Sequence, residues 1–174
     1  MDNPFDIQQP TISANERPGQ DEQFDVIVLG VGSMGSAACY YLAKAGARVL
    51  GLEQFDIPHE LGSHHGQSRI IRKAYFEHPD YVPLLEKAYA NWRALEAETG
   101  SQIFRPTGLL YLGRADHFLV RDSLASARQY GVRVDQLELS DMRSRYPQVK
   151  IPDHFTCLFE PDAGLVTPER AVLA

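Results

Sequence analysis

One hexapeptide constrains this chain more than any other feature: Gly30-Val31-Gly32-Ser33-Met34-Gly35. Three glycines at this spacing suit a tight turn between a strand and a helix, and the flanks predict both elements. Phe24 to Leu29 reads FDVIVL, a β-branched apolar run that predicts a buried parallel strand. From Ser33 to Ala45 the apolar positions Met34, Ala37, Ala38, Tyr41, Leu42 and Ala45 fall at helical spacing. Gly46 is placed to close that helix in the left-handed conformation. Arg48 to Leu52 then reads as a second strand, ending at Glu53. The segment is therefore a strand–helix–strand unit of the α/β class.

The chemistry of such a turn is specific. Gly30 permits the sharp exit from the strand. Gly32 lets the backbone approach a pyrophosphate, and Gly35 lets the helix pack closely on the sheet. The helix N-terminus, headed by Ser33 and Met34, presents free N–H groups and a positive dipole end. Glu53 stands 18 positions after Gly35, where an acid can accept hydrogen bonds from ribose hydroxyls. A 2′-phosphate would be repelled there, which disfavours NADP. Gln54 follows and joins the candidate set. The expectation is a Rossmann-like unit binding an adenine dinucleotide; this motif leaves NAD and FAD open.

Composition narrows the rest. The 174 residues suit one domain by the usual range of roughly 100–200 residues. Apolar residues at 44% and charged residues at 23% allow a real core. A net charge of −6 offers no basic excess for nucleic acid. No apolar run approaches the ~20 residues that cross a bilayer. Cys39 and Cys157 have no metal or disulfide spacing, and Cys39 reads as a small core residue. No metal site is expected. Residues 1–23 are polar, carry three prolines and lack an apolar signal core, so they read as a flexible tail.

Further along, a loop spans 54–68 and an unassigned short segment 68–75. A helix is expected from Pro83 to Thr99, with Leu85, Ala88, Trp92 and Leu95 as its buried stripe and Gly100 as its end. A strand over 108–113, a helix over 116–130 stopped by Gly131, and a strand over 132–137 follow. Ser140 suits the N-cap of a short helix ending before Pro147. Pro168 and Glu169 begin a further helix that the chain cuts off, the mark of a fragment.

The discriminating segment is Gly62-Ser-His64-His65-Gly66-Gln67-Ser68-Arg69-Ile70-Ile71-Arg72-Lys73-Ala-Tyr75. It follows the dinucleotide unit, where chain can reach a cofactor at the strand ends. Arg69 and Arg72 flank two isoleucines, which implies partial burial, and buried arginines need an anionic or strongly hydrogen-bonding partner. Loop histidines and salt-bridge arginines would give the same letters. The run nevertheless resembles the signature of monomeric sarcosine oxidases, N-methyltryptophan oxidases and peroxisomal sarcosine or pipecolate oxidases. Tyr81-Val-Pro-Leu, Thr107-Gly-Leu-Leu and Phe159-Glu-Pro-Asp-Ala-Gly164 are similar to later segments of that family. The resemblance runs from Phe24 to the end, somewhat less than half of a full-length member.

That resemblance implies a Rossmann-like FAD-binding unit over about 24–75, within an N-terminal part (24–174) that begins an interleaved substrate-binding domain. Gly30, Gly32, Ser33, Met34, Gly35, Glu53 and Gln54 would hold the ADP part of FAD. His64, His65 and Arg69 would lie against the isoalloxazine, with His65 and Arg69 the catalytic candidates. Arg72 would bind a substrate carboxylate. The implied reaction oxidises the C–N bond of a secondary amino acid, with oxygen as the final acceptor; sarcosine gives glycine, formaldehyde and hydrogen peroxide. The alternatives are another amino acid oxidase of this superfamily (pipecolate, N-methyltryptophan or fructosyl amino acid) and a catalytically incomplete dinucleotide-binding fragment. Gln67, Ser68 and Lys73 depart from the bacterial Asp-Thr and His and are closer to the peroxisomal enzymes. The family's flavin-anchoring cysteine falls in the C-terminal half, and neither cysteine here matches it. The expected partners are a small secondary amino acid and oxygen, with no nucleic acid and no membrane; the full-length protein is expected to be a monomer in the cytoplasm, or in a peroxisome if eukaryotic.

Overall fold

The computed structural model describes residues 22–174. The flexible tail expected over 1–23 lies outside the described residues as far as residue 21. In chain order the first elements are β1 (Val26–Leu29), α1 (Ser33–Lys44), β2 (Val49–Leu52), β3 (Arg69–Ile71), α2 (Val82–Thr99) and β4 (Phe104–Arg105). Then come β5 (Leu109–Gly113), α3 (Phe118–Tyr130), β6 (Asp135–Leu137), α4 (Leu139–Arg145), β7 (Thr156–Glu160), β8 (Gly164–Val166) and α5 (Pro168–Leu173). The class is mixed α/β. The chain divides into two compact units: residues up to Arg69 with Thr167–Ala174, and Ile70–Val166.

In the first unit β1 and β2 pair in parallel, from Val26 opposite Val49 to Leu29 opposite Leu52. Parallel neighbours need a crossover, and α1 supplies it. Gly46, at φ +91°, lets the chain leave α1 as the sequence predicts. The burial of β1 departs from expectation. Ile27 is 56% exposed and Leu29 79%. α1 packs against the β1–β2 pair, and among the described residues the face of β1 that carries Ile27 and Leu29 stays open. Cys39 is half-buried, with Sγ close to Gly51, rather than a full core residue. The C-terminal α5 packs against α1.

The second unit holds two three-stranded sheets, ordered β3-β8-β4 and β5-β7-β6. In the latter, β7 pairs antiparallel with both neighbours. Successive side chains of a strand point to opposite faces. Leu158 therefore packs with Tyr111, Val120 and Ala127 on the α3 side, and Cys157 with Met142 and Ile151 on the α4 side. With helices on both faces, β7 has no polar face to show.

Several boundaries shift for local reasons. Val132 N–H donates to Ala127 O at 2.9 Å, completing the end of α3, so β6 starts at Asp135 rather than 132. His117 Nδ1 accepts the Leu119 N–H at 3.3 Å and starts α3 at Phe118. Ser140 is not a cap: α4 begins at Leu139, with Glu138 in the cap position. In α2 the buried residues are Val82 and Tyr89, while Leu85, Ala88, Trp92 and Leu95 are only half-buried. The buried line thus runs one step from the expected stripe. The Tyr89 ring meets Phe104 edge-on at 5.3 Å between centroids. At the far end of α2, Glu96 Oε1 accepts the N–H groups of Ile103 and Phe104, each at 2.7 Å.

Leu158 is fully buried, whereas Leu84 on α2 is 66% exposed. Leu158→Ala is expected to destabilise by about 2–5 kcal/mol through lost burial and the cavity left. Leu84→Ala should fall within about 0.5 kcal/mol of the parent. Urea unfolding of the two variants checks the contrast.

Candidate functional site

The glycine turn is held from the end of β2. Gly30 N–H donates to Leu52 O at 2.7 Å, and Gly30 adopts φ +86°. Val31 N–H donates to Glu53 Oε2 at 2.8 Å. The other oxygen, Oε1, accepts the N–H groups of Gln54 at 2.8 Å and Phe55 at 3.3 Å. These donors, Val31 foremost, hold the Glu53 carboxyl below its ordinary range, so it is an anion at neutral pH. A methyl on Gly35 would stand 1.8 Å from Gly30 O, so only glycine fits there. Gly32 occupies the N-cap of α1 and itself supplies no side-chain cap to the first N–H groups.

The histidine–arginine loop packs on this turn. Ser33 N–H approaches His64 Nδ1 at 3.4 Å. A methyl at Gly32 would lie 3.1 Å from His64 Cε1. With Nδ1 as acceptor, the neutral ring carries its proton on Nε2. That atom is buried and has no hydrogen-bond partner among the described residues. His65 Nδ1 is 2.8 Å from Gly62 O, which can only accept, so this ring is protonated at Nδ1. Arg69 folds back on its own loop, donating to Ser68 O at 3.1 Å and to His65 O. Gly66, at φ +118°, donates its N–H to Glu169 Oε1 at 2.7 Å, which ties the loop to the first turn of α5.

Arg72 lies in the second unit. Its guanidinium sits 4.6 Å from the Tyr75 ring centroid and 4.9 Å from that of Phe76. It pairs with Glu77 at 2.9 Å. Its Nε is buried without a partner among the described residues. The expected burial of the whole arginine segment holds only in part: Arg69 and Ile70 are exposed, while Ile71 is buried. Successive side chains of a strand point to opposite faces, so Ile70 and Ile71 meet different surroundings.

Residues 25–174 match the family model described as FAD dependent oxidoreductase. The chain belongs to that family. Among curated relatives it is 42% identical over 152 residues to a monomeric sarcosine oxidase of Bacillus sp. (strain B-0618), covering 87% of this chain and 39% of the relative. It is 41% identical over 149 residues to an N-methyl-L-tryptophan oxidase of Yersinia pestis (strain Pestoides F), covering 86% of this chain and 40% of the relative. Among solved structures it is similar to NikD, an unusual amino acid oxidase essential for nikkomycin biosynthesis. That likeness has a TM-score of 0.76 at 27% identity, over 86% of this chain and 39% of the other. The chain thus spans about two fifths of the length of the relatives it matches.

The residues present in this member of the family fit the ADP end of FAD. A ligand oxygen at the start of α1 would meet N–H groups that Gly32 leaves without a side-chain cap, and the His64 Nε2–H, unpartnered among the described residues, is a donor of the kind a phosphate or carbonyl oxygen accepts. Glu53 is anionic, with its side chain 9% exposed. The first unit brings together Gly30, Gly32, Ser33, Met34, Gly35, Glu53, Gln54, His64, His65 and Arg69. Two residues carry no sequence flag for this site. Glu169 reads as an ordinary first-turn acid, yet it secures Gly66. His59 stands with Nε2 3.5 Å from Glu53 Oε1 and its ring 6.5 Å from that of His64. Among the described residues no cluster of His, Cys, Asp or Glu is arranged to hold a metal, and no helix is long and apolar enough to cross a membrane.

The lowered Glu53 pKa sets a pH dependence. The Val31 tie is complete above the ordinary carboxyl value of 4.5 and is lost as pH falls through the lower folded value. The protection factor of the Val31 amide, which removes the intrinsic pH dependence of exchange, should stay high down to that acid range. In Glu53→Gln it should be lower at neutral pH, with little response to acidification through the same window.

Proposed function

We propose that this chain is the cofactor-binding part of an FAD-dependent oxidase of secondary, N-methyl amino acids. The observation that carries the reading is the packing of His64 on Gly32 and Ser33. It sets the segment resembling the sarcosine oxidase signature directly on the dinucleotide turn. The relatives named monomeric sarcosine oxidase and N-methyl-L-tryptophan oxidase support the substrate class.

In this reading the glycine turn and α1 N-terminus hold the pyrophosphate, and Glu53 accepts from the ribose. His64, His65 and Arg69 face the flavin end. Arg72 holds the substrate carboxylate; its stack on Tyr75 and Phe76 leaves the planar fork aligned, and Glu77 balances its charge until a substrate arrives. Bound FAD supplies a two-electron acceptor. For sarcosine the balance is CH3–NH–CH2–COO⁻ plus O2 and H2O, giving glycine, formaldehyde and H2O2. The substrate is a small molecule, and the full-length protein acts as a monomer in the cytoplasm.

The test uses the full natural chain. Purified protein should release FAD, and sarcosine or another N-methyl amino acid should yield formaldehyde and peroxide in equal amounts. Release of FMN, or NAD reduction without peroxide, would overturn the proposal. Gly35→Ala should abolish FAD retention, because its methyl collides with Gly30 O. Arg72→Ala should raise KM by roughly 30-fold to several-thousand-fold, matching about 2–5 kcal/mol for breaking a buried charged pair. Arg72→Lys should recover only part of that loss. Steady-state kinetics on FAD-replete protein checks both arginine variants.

A further inference from the structure

Glu160 is 0% exposed at the end of β7, and its charge is held by neutral donors. Oε1 accepts Lys73 N–H at 2.6 Å. Oε2 accepts Ala74 N–H at 3.2 Å and the Tyr111 hydroxyl at 2.6 Å. Tyr111 is held protonated, its pKa pushed up first by burial and then by the Glu160 charge, so its hydroxyl donates. All three contacts are acceptances, which is the work of a carboxylate rather than a carboxylic acid.

Removing a carboxylate from water is costly, and an apolar side chain of similar size would fill the core more cheaply. What the carboxylate adds is position. Its two peptide donors are the pair directly after Arg72. The Arg72–Lys73 peptide is planar, so fixing the Lys73 N–H fixes the plane in which the chain leaves Arg72. Fixing Ala74 next sets the path to Tyr75 and Phe76, the two rings against which the Arg72 guanidinium stacks. The Arg72 Nε–H, buried and unpartnered among the described residues, is left as a donor for an incoming acceptor. Lys73 is drawn aside, with Nζ 2.9 Å from Glu86 and 4.8 Å from the centre of the Tyr89 ring.

We propose that Glu160 is the positioning residue for Arg72. By clamping the two peptide groups that follow, it aims the guanidinium and so sets the preference for amines bearing a carboxylate over those without one. This rests on the reading of Arg72 as the carboxylate ligand. Glu160 itself touches neither substrate nor cofactor in this account.

The experiment takes the full natural chain loaded with FAD and two unreactive probes. Methoxyacetate is a sarcosine isostere with oxygen in place of the amine nitrogen, and methoxyacetamide lacks the charge. Each is titrated against the flavin absorbance to give a Kd. The parent should prefer the acid, and Arg72→Ala should remove that preference. Glu160→Gln keeps the side-chain size but replaces one acceptor oxygen with a donor. It should lose on the order of tenfold in acid-over-amide preference, in keeping with the steep cost of small misplacements. Its FAD content and amide Kd should be unchanged. Tyr111→Phe, which releases one of the three donors, should show a smaller loss in the same direction. Glu160→Gln with parental preference, or with equal losses on both probes, overturns the positioning role while the Arg72 reading stands. A parent or an Arg72→Ala protein in which the preference is respectively absent or intact overturns both. If Glu160→Gln retains no FAD, Tyr111→Phe decides: an unchanged preference overturns the proposal.

Discussion

The hydrogen bond from Val31 N–H to the Glu53 carboxylate organises the first unit. It joins the end of β2 to the turn that follows β1, two points already neighbours in the parallel pair. With Gly30 bonded to Leu52 alongside, the turn cannot drift from the sheet. The start of α1 is thereby aimed, and its first N–H groups are held in place at the turn. His64 stands against that turn and His59 beside Glu53. A loosened Glu53 would therefore disturb the helix start, the loop and the carboxylate together.

The same device recurs through the molecule. Backbone N–H groups outside sheet ladders need acceptors, and a single carboxylate can serve two or three at once. Glu53 takes Val31, Gln54 and Phe55; Glu96 takes Ile103 and Phe104; Glu160 takes Lys73 and Ala74; Glu169 takes Gly66. Each stitches an irregular segment to a helix or strand. Part of the chain's acidic surplus is thus internal wiring rather than surface charge.

How far the sequence speaks depends on whether the cause is local. The glycine turn, α1 and β2 are legible because spacing, helix period and turn chemistry agree within thirty residues. Gly46, Gly100 and Gly131 end their helices where expected, each with positive φ, because that preference belongs to the residue itself. β7 is another matter. Thr156–Glu160 is covered on both faces, so no alternation marks it. The β3-β8-β4 sheet depends on pairings between distant segments, which composition does not announce. At the candidate site, the glycines, Glu53 and the histidines are visible as letters. The partners of Arg69, Arg72 and Gly66 are not, because a carbonyl, a nearby glutamate and a glutamate 103 residues away leave no pattern in the chain.

The Gly66–Glu169 bond also bears on the order of assembly. The first unit is discontinuous, its early stretch joined by Thr167–Ala174 after the whole of Ile70–Val166 has intervened. On a ribosome, synthesis proceeds at about 5–20 residues per second, so the loop around Gly66 waits several seconds for its acceptor. The intervening segment is continuous and carries both of its sheets, so it can fold while the loop is still untethered. The seating of the histidine–arginine loop thus waits on the emergence of one glutamate 103 residues downstream.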